Sequence, residues 1–336
     1  MSPHFINTLK LDLIGLITIK IIFCYFAYYF YTNFLDINIF KYPDMQAYKY
    51  CIGSDSQQVN IFYSQFLCSI GMNNEEALSG ITLILLACSI NLFSICGFYL
   101  VFKDFLNRKG QILFIMLLAC HPYLAIYFPR FYTDLFGSLG ILLICYYSIK
   151  NIKIDYFFII SVLILINFRA ALMPPFFLFI AYRSFKEFRI NGKFNFLEIL
   201  GMFAVGVNSV LYKVFSDVFL QATNFYSNEM YNIIFLLGFR EAAANNGFMI
   251  FFNGSIGGYI QFFISLLLLL AHSLGIFSII KFVLDKKYYG VLATLSIIVI
   301  PLIAISHLRY LLPIIPLIMF GFSWYFFKKE LNEKSF

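Results

Sequence analysis

Asp44 sits in Tyr42-Pro43-Asp44-Met45-Gln46-Ala47-Tyr48, shortly after a long apolar run. A carboxylate held there can take the proton of a substrate hydroxyl as a general base. Arg130 and Asp134 stand four apart in Phe128-Pro129-Arg130-Phe131-Tyr132-Thr133-Asp134. Arginine offers a planar fork of donors that matches phosphate oxygens, and a nearby acid can orient that fork or a substrate hydroxyl. Arg169 falls between two apolar runs, Arg240 is followed by Glu241, and His307 and Arg309 open the sequence His307-Leu308-Arg309-Tyr310-Leu311-Leu312-Pro313. The expected catalytic residues are Asp44 and Asp134. The expected substrate-binding residues are Arg130, Arg169, Arg240, Arg309, His307 and Glu241. The chemistry they suit is transfer to a hydroxyl from an anionic, phosphate-bearing substrate.

Each of these residues also has a plainer reading. Asp44 can be a solvated loop residue after a turn-forming proline. Arg130 and Asp134 share a helix face at their spacing and can neutralise each other. Arg169 and Arg309 can anchor span ends among lipid headgroups. Arg240 and Glu241 can be a surface pair, and His121, in His121-Pro122, reads as a polar residue at a helix end. What lifts the arginines above these readings is their side of the membrane, which depends on the elements that carry them.

Those elements are apolar helices. The chain has 336 residues, 61% of them hydrophobic and only 12% charged, with a mean hydropathy of +0.83. Apolar runs recur along the whole length, which describes one integral membrane domain, 1–336, of the all-α polytopic class. Ten apolar segments stand out, at about 11–32, 78–102, 111–128, 134–149, 154–168, 170–182, 196–214, 259–284, 288–306 and 310–327. The fifth and sixth are short and separated by Arg169. They form either a tight hairpin or one long pass broken at Pro174-Pro175. The first run, Leu11 to Tyr31, is too long for a signal-peptide core and reads as a retained span.

Basic clusters test this division. Lys10, Arg108-Lys109, Lys150 with Lys153, Arg183/Lys186/Arg189/Lys193, Lys286-Lys287 and Lys328-Lys329 alternate to one side, and Lys20 lies in the first span. The excess of Lys and Arg marks the cytoplasmic side, so both termini are expected there. The net charge of +7 is then an orientation signal and not a nucleic-acid signal. Two long loops, about 33–77 and 215–258, fall on the outer side, the first with an amphipathic stretch from Val59 to Ile70. Arg130, Arg169, Arg240 and Arg309 fall on that side too, where arginine is normally depleted. Charge at a bilayer edge is costly and marks a functional site by default.

Metal chemistry has no support in the spacing. Most of the seven cysteines lie in apolar runs, and no Cys-x-x-Cys or His/Cys ligand pattern occurs. Cys51 and Cys68, in the first long loop, are the two with an opportunity to pair. The glycine-rich stretch 254–258 has no strand-and-helix context of a nucleotide loop, so a sugar donor would have to arrive on a lipid.

This layout resembles the GT-C superfamily of polyprenyl-linked-sugar glycosyltransferases. The likeness rests on Asp44 in a long first outer loop, on Arg130-Phe-Tyr-Thr-Asp134 after the third span, and on His307-Leu-Arg309-Tyr-Leu-Leu-Pro313 late in the chain. Within that setting the small, Phe- and Tyr-rich chain looks like a Wzy/EpsG-type O-antigen or exopolysaccharide polymerase. The resemblance implies a glycosyltransferase of the bacterial inner membrane, facing the periplasm, in lipopolysaccharide biosynthesis. Its partners would be undecaprenyl-linked glycans, the bilayer and a chain-length regulator, with no nucleic acid and no cofactor. The chain lacks an Asp-x-Asp sequence, so no metal of the oligosaccharyltransferase kind is implied. Two alternatives stand beside the polymerase: a transferase moving one sugar from undecaprenyl phosphate, and a flippase or transporter. Transporters place ionisable groups near the membrane midplane on broken helices, whereas the charges assigned here sit at span ends.

Overall fold

A computed structural model describes residues 3–34, 81–129, 133–215, 256–298 and 311–329. Every regular element among them is helical. In chain order these are α1 (Pro3–Phe34), α2 (Ile81–Phe102), α3 (Arg108–Cys120), α4 (Pro122–Ile126), α5 (Thr133–Ile149), α6 (Tyr156–Phe168), α7 (Met173–Asn191), α8 (Phe196–Phe215), α9 (Ile256–Lys286) and α10 (Ile315–Phe327). Short 3-10 turns cover Lys103–Phe105 and Ala170–Leu172, and a longer one runs from Tyr289 to Ile298. Within the described residues, three stretches are long and apolar enough to cross a membrane: Thr8–Phe30, Leu83–Phe105 and Leu266–Lys286. The helices Thr133–Ile149, Tyr156–Phe168 and Ile315–Phe327 are apolar but shorter. The two long loops expected at about 33–77 and 215–258 lie, apart from their edges, outside the described residues, as do Cys51 and Cys68 and the stretch Val59 to Ile70.

Local chemistry sets the helix ends. Asn107 caps α3 by accepting from the Gly110 amide at 3.0 Å. A short polar side chain satisfies there one of the donors that a helix start leaves open. Asp155 does the same for α6, accepting from the Phe158 amide at 2.8 Å and from the Tyr147 hydroxyl at 2.9 Å. α3 stops at His121 because the residue before a proline is pushed out of the helical region; its ψ is 121°. The expected 111–128 segment is therefore two helices with a break at His121-Pro122.

Arg169 marks a second break. Its backbone is extended (φ −141°, ψ 94°) as the C-cap of α6. Pro174 and Pro175 fall in the first turn of α7, where a missing N–H costs nothing. α6 and α7 then fold back on each other: the Phe158 ring lies 5.5 Å from that of Phe179, and Arg183 of α7 donates to the Ile152 carbonyl just before α6. Of the two readings of 154–182, the hairpin is the observed one.

Close helix crossings complete the bundle. α9 and α10 meet at paired glycines, and a Cβ on Gly321 would strike the Gly275 carbonyl. Small residues let helix backbones approach where lipid supplies no hydrophobic drive. Beside the crossing, Phe320 stacks on Phe102 at 4.3 Å, and Phe282 meets Trp324 edge-on at 5.6 Å. The same helices gather basic residues at one end. Leu106 pairs with Lys328 by a backbone bridge, Phe105 touches Tyr288 at 5.7 Å, and Tyr289 lies 6.4 Å from Tyr182 beside Arg183.

Candidate functional site

At the opposite end of α5 from its basic loop, Asp134 lies in the first helical turn. A carboxylate suits that position, because the helix dipole is positive there. Its oxygen meets Arg169 Nη2 at 2.7 Å, and Arg169 Nη1 donates to Thr133 Oγ1 at 3.2 Å. Both partners are withdrawn from the surface, with side-chain exposures of 2% for Asp134 and 12% for Arg169. Phe136 and Phe168 stack at 4.0 Å and 10°, each one or two residues from a member of the pair. The turn between α6 and α7 thus delivers an arginine to the start of α5.

A third segment reaches the same place. A Cβ on Gly137 would fall 2.6 Å from Pro313 Cγ and 3.7 Å from Arg169 Cγ. Only glycine leaves room for that approach. Pro313 is the last residue of the stretch that begins His307-Leu308-Arg309, and Leu311 and Leu312 beside it are buried. So Asp134, Arg169 and the end of that late stretch share one neighbourhood.

Of the expected site residues, the structure therefore brings together Asp134 and Arg169. The i, i+4 spacing pointed to Arg130 as the ion-pair partner of Asp134; among the described residues the partner is Arg169, from a different helix. Asp44, Arg130, Arg240, Glu241, His307 and Arg309 lie outside the described residues. Among those described, no group of His, Cys, Asp and Glu has the arrangement to hold a metal ion.

A second polar cluster was not singled out from the sequence. Lys20, in the apolar middle of α1, is fully buried. Its ammonium donates to the Leu118 carbonyl at 3.5 Å and lies 5.6 Å from the centre of the Phe128 ring. Close by, His121 and His272 stack with Nε2 to Nε2 at 3.0 Å, both buried. His121 Nδ1 accepts from the Leu124 amide at 3.4 Å. In the neutral pair His121 therefore carries its proton on Nε2 and donates it to His272 Nε2. His121 is the helix-end residue expected, but its second nitrogen is committed to α9. The signal available in the sequence was a Lys and a His set singly in long apolar runs; their convergence was not.

A third polar feature, an ion pair at the basic end, ties α1 to α2 and α3. Arg108 makes a bidentate contact with Asp12, 2.7 Å to each oxygen, and Tyr99 donates to the same carboxylate at 2.6 Å. Compared with known proteins, the chain matches no family model, no curated protein and no solved structure.

Proposed function

We propose that this chain is a membrane glycosyltransferase that acts on the outer membrane face and joins polyprenyl-diphosphate-linked repeat units. The observation that supports this reading is the meeting of Asp134 and Arg169 at 2.7 Å, from two separate helices and beside Pro313, at the end away from the basic loops. Arg169 is the phosphate-binding residue of this scheme, and Asp134 positions it. Asp44 takes the proton of the acceptor hydroxyl. The bond from the donor sugar's anomeric carbon to the diphosphate breaks as the bond to that hydroxyl oxygen forms. The polyprenyl diphosphate leaves with the electron pair. Arg130, Arg240 and Arg309 supply further donors, because one guanidinium cannot meet all the oxygens of a diphosphate.

The test is a deletion strain complemented with variants. Loss of a polymerase leaves carrier capped with single repeat units on the outer leaflet and removes the glycan ladder. Loss of a transferase of one sugar leaves a full ladder lacking that sugar. Asp44→Asn and Arg169→Lys are expected to behave like the deletion, since a point charge does not replace the guanidinium fork. Full ladders from both variants would overturn the proposal.

The Lys20–His121–His272 cluster favours a second reading, a flippase or transporter. Intramembrane ionisable groups mark proton and substrate paths. In that case deletion would strand capped carrier on the inner leaflet, and Lys20→Met or His272→Phe would abolish activity while Arg169→Lys would not.

A further inference from the structure

We infer that the basic end of the bundle holds a phosphate-binding site, separate from the Asp134–Arg169 pair and independent of the proposed transferase activity. A cavity of about 220 Å3 opens there between the end of α5, the middle of α7 and the turn after α9. Arg183, Lys186 and Lys287 line it together with Ser148, Asn151 and Tyr288, and no carboxylate does. Three cations around one small hollow call for an anion. The volume lies below the ~300–1,000 Å3 of sites for drug-sized ligands, which suits a phosphate group and not a nucleotide or a sugar chain.

The cationic wall is built rather than scattered. Arg183 is buried. Its Nη1 donates to Asn151 Oδ1 at 2.7 Å and its Nη2 to the Ile152 carbonyl at 3.0 Å, which fixes the plane of the guanidinium. Its Nε is buried with no hydrogen-bond partner among the described residues. Lys186 reaches the same Asn151 oxygen at 3.2 Å. None of the ion pairs among the described residues engages Arg183, Lys186 or Lys287. Glu198 on α8 feels the charge of Arg183 but does not line the cavity.

The backbone holds the wall in place. Asn151 and Lys287 are the two non-glycine residues, among those described, with positive φ, at 50° and 59°. They follow the ends of α5 and α9, where a left-handed residue closes a helix. Both line the cavity. A lysine tolerates that conformation at a cost that asparagine and glycine avoid. Gly290 keeps the floor close: a Cβ there would lie 2.7 Å from Ser148 Oγ.

Phosphate can come from two sources at a membrane surface: an anionic lipid headgroup, which basic pockets between helices recognise, or a free phosphate in the aqueous phase. The experiment uses the full chain, purified and exchanged into nanodiscs of phosphatidylcholine with and without phosphatidylglycerol. Native mass spectrometry reads the lipid retained, and thermal shift reads stabilisation by inorganic phosphate against chloride at equal ionic strength. The variant is Lys186→Gln with Lys287→Gln, both at least partly exposed. The control is Lys109→Gln with Lys193→Gln, which removes the same charge from the basic end without touching the cavity lining.

If the source is lipid, the wild type retains phosphatidylglycerol selectively. The cavity variant is then expected to lose about thirtyfold in that preference, the effect of two cationic contacts with an anionic headgroup, and the control to lose little. If the source is free phosphate, the lipid is not selected. Inorganic phosphate then raises the melting temperature of the wild type and the control but not of the cavity variant. Equal behaviour of the cavity variant and the control in both assays would overturn the site and leave only a basic surface. A normal glycan ladder from the cavity variant would separate this site from the transferase reading.

Discussion

Among the described residues, two aspartates meet arginines, and the meetings are built differently. At the basic end, Asp12 receives the whole guanidinium fork of Arg108 and a hydroxyl from Tyr99, while the Arg108 side chain is 52% exposed. At the other end, Asp134 is met through Arg169 Nη2, Nη1 goes to Thr133, and both partners are nearly enclosed. The first arrangement is a tie between helices. Its geometry is closed, and its cation stays partly in water, where desolvation costs little. The second places a cation out of water at the junction of three chain segments. Burying both charges costs several kcal/mol per ion before their attraction offsets it. A fold that needed only to hold α5 to the α6–α7 turn could use apolar contacts there, as Phe136 and Phe168 already do. The difference marks Asp12–Arg108 as a tie between helices, and it is the reason Asp134–Arg169 is the pair proposed to act.

Substitutions can break or sharpen that contrast. The largest effect is expected for Asp134→Ala, which leaves Arg169 buried without its carboxylate. About 3–5 kcal/mol of stability should be lost, read as a fall in melting temperature of the purified protein. A loss below ~1 kcal/mol would show the pair to be less enclosed than described. Arg108→Ala comes next. It removes the fork from a buried carboxylate and leaves Tyr99, so a loss of roughly 1.5–3 kcal/mol follows from charged hydrogen bonds. Asp12→Ala should cost less, about 1–2 kcal/mol, because the half-exposed guanidinium is free to turn into water and only the buried Tyr99 hydroxyl loses its acceptor. If Asp12→Ala were instead the more damaging of the two, the exposure argument would fail. The smallest change in stability is expected for Asp134→Leu combined with Arg169→Leu, since replacing both members of a buried pair by apolar groups is often neutral or stabilising. That double variant is also the sharpest test of function. A folded protein with no glycan ladder supports an active pair, and a folded protein with a normal ladder removes the pair from the site.

Much of the local structure was legible in the residues. Long apolar runs became helices because a chain in lipid must satisfy its backbone within each segment. Asn107 and Asp155 cap helices as such residues do. The break at His121-Pro122 was missed, because 111–128 reads as one apolar run, although pre-proline sterics explain it. For 154–182 the residues left two readings open, and the structure decides for the hairpin: Arg169 ends α6, and Pro174 and Pro175 fit the start of α7. The candidate site was legible in part. Asp134 and Arg169 were named from their types and positions, but the partner suggested by i, i+4 spacing was Arg130, because spacing reports only neighbours on one helix.

The sequence by itself determined composition, the apolar runs that became helices and the spacing of the basic loops between them, since hydropathy, capping and proline sterics act within a few residues. Tertiary structure decided which side chains meet. Arg169 reaches Asp134 because α6 turns back at its own C-cap. Pro313 reaches the start of α5 because Gly137 leaves space for it. His272 reaches His121, 151 residues away, because α9 passes the break before Pro122. Arg183, Lys186 and Lys287 surround one cavity because two helices end beside a third. Such meetings depend on backbone crossings, whose distances are set by packing between helices and leave no periodic mark along the chain.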